Sequence, residues 1–345
     1  MKNFKEIISQ SVQEDEKKYL KNNWFLIGTK SEFRNKNDFK TFQIFNTPVI
    51  IYNFNGIIKA FTNICPHRGS KIKLEKKGNE VFNCIYHGWS FNAEGKVVSA
   101  PFRKEAFNNL RIENKSLEKW NIDFCNNLLF ISHLTNKIPL KNYLGKNLNL
   151  LNNLTKECEN EVFSKEYIWN CNWKLSIENA IDEYHAPILH KNTFKKTLNL
   201  NPHYTLSKKV LALSLPLNEK YLLSFKNNKL FEDKDILDNY YHFLFFPNTT
   251  FASTMGIFNF LQTYFPISHE QTLVTTTIFI DKIKESNNNA HILDVIKNMA
   301  ISFNNEVFQE DKSISEDLHK NILNGYFYSN FGKFETRVKE FRKLL

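Results

Sequence analysis

Four residues in the first quarter of the chain have types and spacing that suit a metal cluster. One short loop carries Cys65 and His67, a second carries Cys84 and His87, and residues 68–83 separate the two pairs. A zinc finger usually pairs cysteine with cysteine and histidine with histidine, whereas each loop here holds one of each. Mixed loops are expected when two adjacent irons share them, thiolates on one iron and imidazoles on the other. The pattern favours a [2Fe–2S] cluster, with a mixed zinc site or coincidence as the alternatives.

A second pair of histidines lies further along, at His185 and His190, and Asp182 precedes the first by three residues. Neutral imidazole is a common ligand of iron, zinc, copper and nickel. On an ideal helix the two histidines are about 140° apart, so both reach one metal only if the helix bends. Pro187 between them predicts such a bend, because proline removes a backbone donor. Taken alone, the pair is equally consistent with two ordinary histidines at a helix break.

An oxygen-activating iron with two histidine ligands also needs a carboxylate. The helix predicted from residue 303 to about 324 offers Glu306, Glu310 and Asp311. On a helical wheel Asp311 falls inside the apolar stripe, Glu310 at its edge and Glu306 well off it. A carboxylate on a buried face must be paired, neutralised or metal-bound. We therefore predict Asp311 as the third ligand, with Glu310 as the alternative and a buried acid paired with Lys or His also open. The stripe comprises Val307, Ile314, Leu318 and Ile322.

Together these motifs resemble the oxygenase (alpha) component of the Rieske non-haem iron oxygenases over essentially the whole chain. The Cys-x-His and Cys-x-x-His loops resemble that family's cluster motif. The spacing Asp182-x-x-His185-x-x-x-x-His190, preceded by Asn172-Trp173-Lys174, resembles its mononuclear iron motif. Ile85 stands where the family usually has proline, which changes no ligand.

The resemblance implies an enzyme that uses O2 to hydroxylate or demethylate a small organic substrate, as a monooxygenase or a dioxygenase. It implies two cofactors, a Rieske [2Fe–2S] cluster and a mononuclear Fe(II). Electrons from NAD(P)H would arrive indirectly, through a separate reductase or ferredoxin, because the sequence has no nicotinamide fingerprint. The implied cluster ligands are Cys65, His67, Cys84 and His87, and the implied iron ligands are His185, His190 and Asp311.

The resemblance also assigns a role to Asp182 and an oligomeric state. Asp182 is similar to the family's bridging carboxylate, which links His185 to the cluster ligand His87 of the partner subunit. A carboxylate that orients a ligand imidazole is common in metal sites. This arrangement implies a homotrimer, because in this family the two centres within one chain are too distant for electron transfer.

The substrate is less well specified by the sequence. The tail from Glu310 and Asp311 through Gly332 to Phe341 resembles the branch that acts on choline, glycine betaine and carnitine. A quaternary ammonium group would require an aromatic cage. The chain has 32 phenylalanines, and most belong in the core, so their number does not choose the substrate. An aromatic carboxylate or ring is the alternative substrate.

Two other classes of protein remain to be distinguished by experiment. A Rieske electron-transfer protein with a non-catalytic second domain would contain two irons per chain. A structural or regulatory zinc protein would contain zinc and show no visible absorption. Two complete sets of iron ligands in one chain argue against both.

The composition is that of a globular protein with two domains. The chain has 345 residues, 42% hydrophobic and 24% charged, and a net charge of +10. Its basic residues are scattered rather than clustered on one element, which argues against a nucleic-acid partner. A basic surface could instead dock an acidic electron-transfer protein, although an ordinary solvated surface is the default.

Several features predict a cytoplasmic protein that is not bound to a membrane. Five cysteines, two of them predicted cluster ligands, form no disulfide framework and suit a reducing compartment. Residues 1–22 lack the apolar segment of a signal peptide. No apolar run approaches the roughly 18 residues of a membrane-spanning helix.

The alternation of apolar residues predicts an α+β fold. Residues 1–23 are expected to form an N-terminal helix that packs on the body. Residues 24–140 are expected to form a small antiparallel β Rieske domain that presents the two ligand loops at one tip. Residues 141–345 are expected to form a catalytic domain, an antiparallel sheet covered by helices. The strands predicted in this domain cover 210–215, 221–225, 242–246, 257–265 and 271–281.

Overall fold

A computed structural model describes residues 8–9, 15–107, 111–133, 135–156, 158–228, 236–281 and 290–345. The chain divides into two compact units. The N-terminal unit comprises Lys17–Phe124 and Leu128–Leu140, and the C-terminal unit comprises Met1–Glu16, Cys125–Asn127 and Lys141–Leu345. Most of the helix predicted over residues 1–23 lies outside the described residues, and its described end, Asp15–Leu20, is a 3-10 helix.

The N-terminal unit is built on an antiparallel sheet with strand order β1-β9-β8-β4-β3-β2-β5, beside a small hairpin of β6 and β7. A short helix, α1 (Arg103–Ala106), follows the hairpin. The strands are β1 (Phe25–Thr29), β2 (Asp38–Ile44), β3 (Thr47–Phe54), β4 (Ile57–Thr62), β5 (Lys77–Asn79), β6 (Ser90–Phe91), β7 (Val97–Ser99), β8 (Lys119–Cys125) and β9 (Leu128–His133).

Both predicted ligand cysteines belong to the core of this unit. Cys65 and Cys84 are buried in a cluster that includes Phe61, Phe82 and Trp89. Aromatic side chains bury large apolar areas and stabilise such a core strongly. The loops that carry the two cysteines are therefore held by packing.

The C-terminal unit contains a seven-stranded antiparallel sheet with strand order β10-β16-β15-β14-β13-β12-β11. Its strands are β10 (Glu161–Trp169), β11 (His203–Leu206), β12 (Val210–Pro216), β13 (Asn239–Phe245), β14 (Thr249–Thr254), β15 (Phe258–Ser268) and β16 (Gln271–Ile280). Its helices are α2 (Leu140–Leu144), α3 (Leu148–Leu154), α4 (Trp173–Ala180), α5 (Ala186–Leu189), α6 (Phe194–Thr197), α7 (Glu219–Lys226), α8 (Ala290–Leu323) and α9 (Thr336–Leu344). Among the described residues, no helix has both the length and the apolar content to cross a bilayer.

One face of this sheet carries a row of side chains that later line a pocket. His242 lies opposite Ala252, which lies opposite Phe260 on the next strand. Tyr240 and Gln262 are two residues from members of this row, and side chains two apart on a strand share a face. The sheet therefore presents His242, Tyr240 and Gln262 together.

The strand predicted over 221–225 is wrong, because this segment lies in the helix α7. The side chain of Asn218 caps the helix by accepting a hydrogen bond from the Lys220 backbone N–H at 3.0 Å. Tyr221, Leu222 and Phe225 then pack against the same apolar cluster. These three residues are spaced as on one face of a helix. The capping residue Asn218 indicated a helix, but the apolar content of the segment, considered alone, favoured a strand.

The apolar stripe predicted on the last long helix, α8, is also largely wrong. Ile314 and Leu318 are 39% and 45% exposed, whereas Ile322 is buried. The buried face instead carries Asn304, Phe308, Ser315, His319 and Ile322, three of which are polar. Asp311 lies on this face, two helical turns from Asn304. Its side chain therefore points inward, although the apolar stripe from which it was predicted is largely exposed.

Candidate metal centres and active site

The two cluster loops share one backbone design. The N–H of Gly69 donates to the carbonyl of Cys65 at 3.0 Å, and the N–H of Gly88 donates to the carbonyl of Cys84 at 2.9 Å. Both glycines have positive φ, +80° and +69°, a region that side chains disfavour. A Cβ at Gly88 would also lie 3.1 Å from Cγ of Pro101. Each turn therefore depends on the glycine four residues after its cysteine.

The four predicted cluster ligands are brought together by these turns. The rings of His67 and His87 lie 4.6 Å apart between centroids, and His67 stacks on Trp89 at 4.6 Å with a 7° interplanar angle. Nδ1 of His67 is buried and has no hydrogen-bond partner within the described residues. Burial, followed by His87 and Arg68, lowers the pKa of His67, so the ring stays neutral. A neutral ring with an unpaired buried nitrogen fits a metal ligand.

The two cysteine side chains also fit the role of metal ligands. Cys65 and Cys84 are each 2% exposed. Burial raises the pKa of the Cys65 thiol to about 12; a backbone hydrogen bond from His67 opposes this shift, and the adjacent Cys84 reinforces it. Two cysteine side chains buried next to each other gain little from protein contacts, whereas coordination to iron deprotonates a thiol and pairs its charge. The donor set therefore suits a cluster with two cysteine and two histidine ligands.

The helix before the second pair of histidines, α4, does not extend to them. Asn172 caps α4, because its side chain accepts from the Lys174 backbone N–H at 3.1 Å. The helix ends at Ala180, before Asp182, so Asp182 and His185 do not share a continuous helix. Pro187 sits in the first turn of α5, a position that its missing N–H suits. The bend is therefore a loop upstream of Pro187, not a kink at the proline.

Two buried ion pairs hold α4 in place. Nζ of Lys174 donates to Oε1 of Glu16 at 2.6 Å, and both side chains are almost fully buried. At the other end of the helix, Glu178 accepts two 2.6 Å hydrogen bonds from Arg342 of α9. Bidentate arginine–carboxylate pairs are directional as well as strong. They orient the helix that leads into the loop of Asp182 and His185.

That loop is held by a third buried cluster, which centres on Glu183. Its Oε2 accepts hydrogen bonds from Arg337 at 3.1 and 3.2 Å, and its Oε1 accepts one from the hydroxyl of Tyr204. Glu183 and Arg337 are each 2% exposed at the side chain. Arg337 also contacts Nδ1 of His242 at 2.7 Å. Because the guanidinium only donates, Nδ1 is the acceptor and the His242 proton is on Nε2.

His185, His190 and Asp311 converge on one point. Nε2 of His185 and Nε2 of His190 lie 3.2 Å apart, and Oδ1 of Asp311 lies 3.4 and 3.2 Å from them. Ligand atoms about 2.1 Å from a metal and at right angles to each other would be about 3.0 Å apart. Within the described residues, this is the group of three whose ligand atoms lie close enough to share an ion. Oδ1 of Asp311 is buried without a hydrogen-bond partner there.

The outer nitrogens of both rings face carboxylates. Nδ1 of His190 lies 2.6 Å from Oε2 of Glu310, and Nδ1 of His185 lies 3.3 Å from Oδ2 of Asp182. The His190 contact is a short hydrogen bond, whereas the His185 contact lacks hydrogen-bond geometry. Histidines that bind metals usually donate their other N–H to such a group. Glu310, the alternative third ligand, therefore supports His190 and points away from the convergence.

The charges of this group are strongly coupled. Burial alone would lower the pKa of His185, but Asp182 and Asp311 outweigh it and raise the pKa to about 9. The pKa of His190 is likewise raised against burial, by Asp311 and Glu310. Burial would raise the pKa of Asp311, and the two histidines instead hold it well below its usual range. The site thus gathers negative charge where a cation can bind.

A pocket that is partly open to solvent lies beside the three converging residues. Phe194, Tyr240, Phe260 and Phe303 line it together with the polar side chains of Asn179, His242, Gln262 and Asn304. Burial, followed by Arg337, lowers the pKa of His242 well below its ordinary value, so this wall carries a neutral imidazole.

Sequence reasoning missed Glu183, Tyr204, His242 and Arg337. One signal was available, because Arg337 and Arg342 are the only arginines after Arg111 in a chain that otherwise uses lysine. Both form buried pairs with glutamates of the Asn172–His190 stretch. Guanidinium is the side chain suited to such planar, buried pairing.

A cluster loop pair in one unit and a two-histidine, one-carboxylate site in the other define a Rieske non-haem iron protein. Residues 23–120 match the model of the Rieske [2Fe-2S] domain, and residues 157–345 match that of the ring hydroxylating alpha subunit (catalytic domain). The chain belongs to the family of ring-hydroxylating alpha subunits, which are oxidoreductases. The predicted family and α+β fold class are confirmed. Membership implies the predicted [2Fe–2S] cluster and mononuclear iron.

Relatives of the chain include dioxygenase subunits named for anthranilate, 2-halobenzoate and biphenyl. The anthranilate 1,2-dioxygenase large subunit of Burkholderia cepacia is 29% identical over 204 residues, 54% of this chain and 46% of that protein. The chain thus spans about half the length of the characterised relative it matches.

Solved structures show the same fold. A quaternary ammonium Rieske monooxygenase has a TM-score of 0.79 at 20% identity, over 99% of this chain and 93% of that one. Naphthalene 1,2-dioxygenase has a TM-score of 0.73 at 20% identity, over 93% of this chain and 79% of that one.

Proposed function

We propose that the chain is the oxygenase component of a multicomponent Rieske non-haem iron oxygenase. It would use O2 and electrons from a separate reductase or ferredoxin to hydroxylate or demethylate a small organic substrate. The convergence of His185, His190 and Asp311 within 3.4 Å carries this proposal. Together with an open pocket beside it, this triad argues against a Rieske protein whose second domain is non-catalytic.

We assign the ligands residue by residue. Cys65, His67, Cys84 and His87 hold the cluster, and His185, His190 and Asp311 hold the ferrous ion. When bound, the two groups supply electron storage and oxygen activation. The protein's own residues fix the ligand rings: Glu310 orients His190, while Glu183 and Arg337 fix the loop that carries His185.

Asp182 is proposed as the carboxylate that couples the two centres. Its Oδ1 accepts the Tyr184 backbone N–H at 2.8 Å, which leaves Oδ2 next to His185. Its side chain is 22% exposed, so it is open to a second partner. We propose that His87 of the partner subunit is that partner and that the protein is a homotrimer.

The substrate and the cellular location are proposed more broadly. Relatives named for anthranilate and for quaternary ammonium compounds support an aromatic compound or a quaternary amine as substrate. The five cysteines form no disulfide, which supports a reducing, cytoplasmic location.

The test combines metal analysis with oxygen uptake. We expect three irons per chain, a visible spectrum from the cluster, and oxygen consumption that requires both a reductase and a substrate. The screen should place aromatic acids beside quaternary amines. Two irons per chain and no substrate-dependent uptake would support the electron-transfer alternative, and zinc without visible absorption would support the zinc protein.

A further inference from the structure

The side-chain amide of Gln262 has a fixed orientation in the pocket wall. Its Oε1 accepts hydrogen bonds from the hydroxyls of Thr250 at 3.1 Å and Tyr264 at 3.0 Å. A carbonyl oxygen has two lone pairs, and both are used here. The NH2 group must therefore point the other way. Gln262 lines the pocket, so this NH2 group is a donor available to a bound molecule.

A second amide lies next to it. Oδ1 of Asn304 accepts the Thr276 hydroxyl at 3.1 Å, and its Nδ2 is buried without a hydrogen-bond partner in the described part of the chain. Thr276 is directly opposite Gln262 in the pairing of β15 with β16. Side chains in this relationship are about 5 Å apart at Cβ, so the two NH2 groups can reach one ligand group. Asn304 is 3% exposed and lines the same pocket.

Two of the acids that line the pocket are already paired: Glu183 is bound by Arg337 and Tyr204, and Asp311 faces its two histidines. The third, Asp182, lies beside His185 on the loop after α4 and is not part of the sheet wall. On the same face of the sheet as Gln262, His242 accepts from Arg337 and keeps its Nε2–H as a donor. This wall therefore presents hydrogen-bond donors to a ligand. A buried donor without a partner costs free energy, and a ligand that supplies an acceptor removes this cost.

We propose that Gln262 and Asn304 form a subsite for a carboxylate of the substrate. This inference rests on the proposed function and narrows its substrate class to organic acids. Two NH2 groups match the two oxygens of a carboxylate, and hydrogen bonds to a charged acceptor are the stronger kind. A quaternary ammonium group at this subsite would instead meet the positive ends of two amides, which is unfavourable for a cation. Asn304 and Asp311 are two helical turns apart, about 10.5 Å along α8, which leaves room for the rest of the molecule at the triad.

Binding to the oxidised, metal-loaded protein tests the subsite without turnover. The probes are benzoate and hexanoate, the neutral isostere nitrobenzene, and the cation N,N,N-trimethylanilinium, each titrated by calorimetry. We expect at least one carboxylate to bind about tenfold or more tightly than nitrobenzene and the cation. Equal or tighter binding of the cation would overturn the subsite, whatever the oxygen-uptake assay of the proposed function shows.

Two near-isosteric variants replace the hydrogen-bond donors of the subsite by negatively charged acceptors. Gln262→Glu and Asn304→Asp each replace the NH2 donor by an anionic oxygen, and each should weaken carboxylate binding about tenfold or more. Gln271→Glu makes the same chemical change at an exposed position of β16 and should leave binding unchanged. If either pocket variant loses its iron or its fold, Gln262→Met removes the donor without adding charge and should show the same loss. Unchanged carboxylate affinity in the folded pocket variants would reject the assignment, even in an enzyme that consumes oxygen.

Discussion

The carboxylate of Glu310 lies 2.6 Å from Nδ1 of His190, on the side of the ring opposite to Nε2, which faces Asp311. Neighbouring acids on one helix therefore have different tasks. Successive side chains are about 100° apart on a helix, so Asp311 reaches Nε2 while Glu310 reaches Nδ1 of the same imidazole. This relationship distinguishes the proposed ligand, Asp311, from the residue that supports the ring, Glu310, which residue type alone could not do.

Replacing Asp311 by Ala should remove the mononuclear iron and the activity. Two imidazoles alone leave the cation without its charged ligand. Iron analysis should fall from three to two atoms per chain, while the visible spectrum of the cluster is unchanged. Asp317→Ala, an exposed position on the same helix, should keep all three irons. Full iron content and turnover in the Asp311 variant would rule out this ligand.

Replacing Glu310 by Gln should weaken iron binding without abolishing it. The variant loses the charged acceptor that fixes the His190 ring, and such changes typically cost about 10- to 100-fold in metal affinity. Competition with a ferrous chelator would measure the change. If Glu310→Gln behaved like Asp311→Ala, with no iron bound at any concentration, the two roles assigned here would have to be exchanged.

Replacing Asp182 by Asn should slow electron transfer and leave both metals in place. The amide oxygen can still accept the Tyr184 N–H, but the charge beside His185 is lost. We expect reoxidation of the cluster, followed by stopped-flow absorbance with substrate and O2, to slow about 10- to 100-fold. Asp294→Asn, at an exposed position, is the control. An unaltered rate would mean that Asp182 does not connect the centres.

Replacing Arg337 by Met should destabilise the protein strongly. Glu183 would remain buried with its charge unpaired, and breaking such a pair costs about 3–5 kcal/mol of unfolding free energy. Urea denaturation should show this loss, and adding Glu183→Gln to the same chain should recover part of it. A double variant no more stable than Arg337→Met would show that the charge left on Glu183 is not the cause.

His319 should make the stability depend on pH. Its side chain is 3% exposed, and neither ring nitrogen has a hydrogen-bond partner within the described residues. Burial lowers its pKa, which Glu270 opposes and His269 reinforces. Because the unfolded chain then binds the proton more readily, the stabilisation is complete above the ordinary pKa of about 6.5 and declines as the pH falls below it. The Tm of His319→Leu should therefore fall less than that of the natural protein between pH 7 and pH 5.5.

The two sets of candidate ligands could be selected from the sequence because their chemistry restricts both residue type and spacing. Cys65 and His67 had to lie on one turn, as did Cys84 and His87, and few other residues can bind iron. Asp311 was chosen from an apolar stripe that the structure does not contain, since Ile314 and Leu318 are exposed. Asp311 is nevertheless the acid that faces the two histidines. The prediction required only that this side of the helix point inward, and it does.

The supporting residues could not be predicted because they act across long separations. Glu183 and Arg337 are 154 residues apart, and nothing local in either segment indicates the other. The helix α7 was missed for a different reason, since five largely apolar residues fit a strand as well as a helix until the cap at Asn218 is considered. Tertiary ion pairs and helix capping therefore account for most of the differences between the sequence-based predictions and the structure.

The ion pair between Glu16 and Lys174 gives the first residues of the chain an unexpected importance. The first residues of a domain can often be removed without harm. Here, removing the first sixteen residues would leave the buried ammonium group of Lys174, at the start of α4, without the Glu16 carboxylate. A shortened protein should therefore behave like one with a defect in its interior.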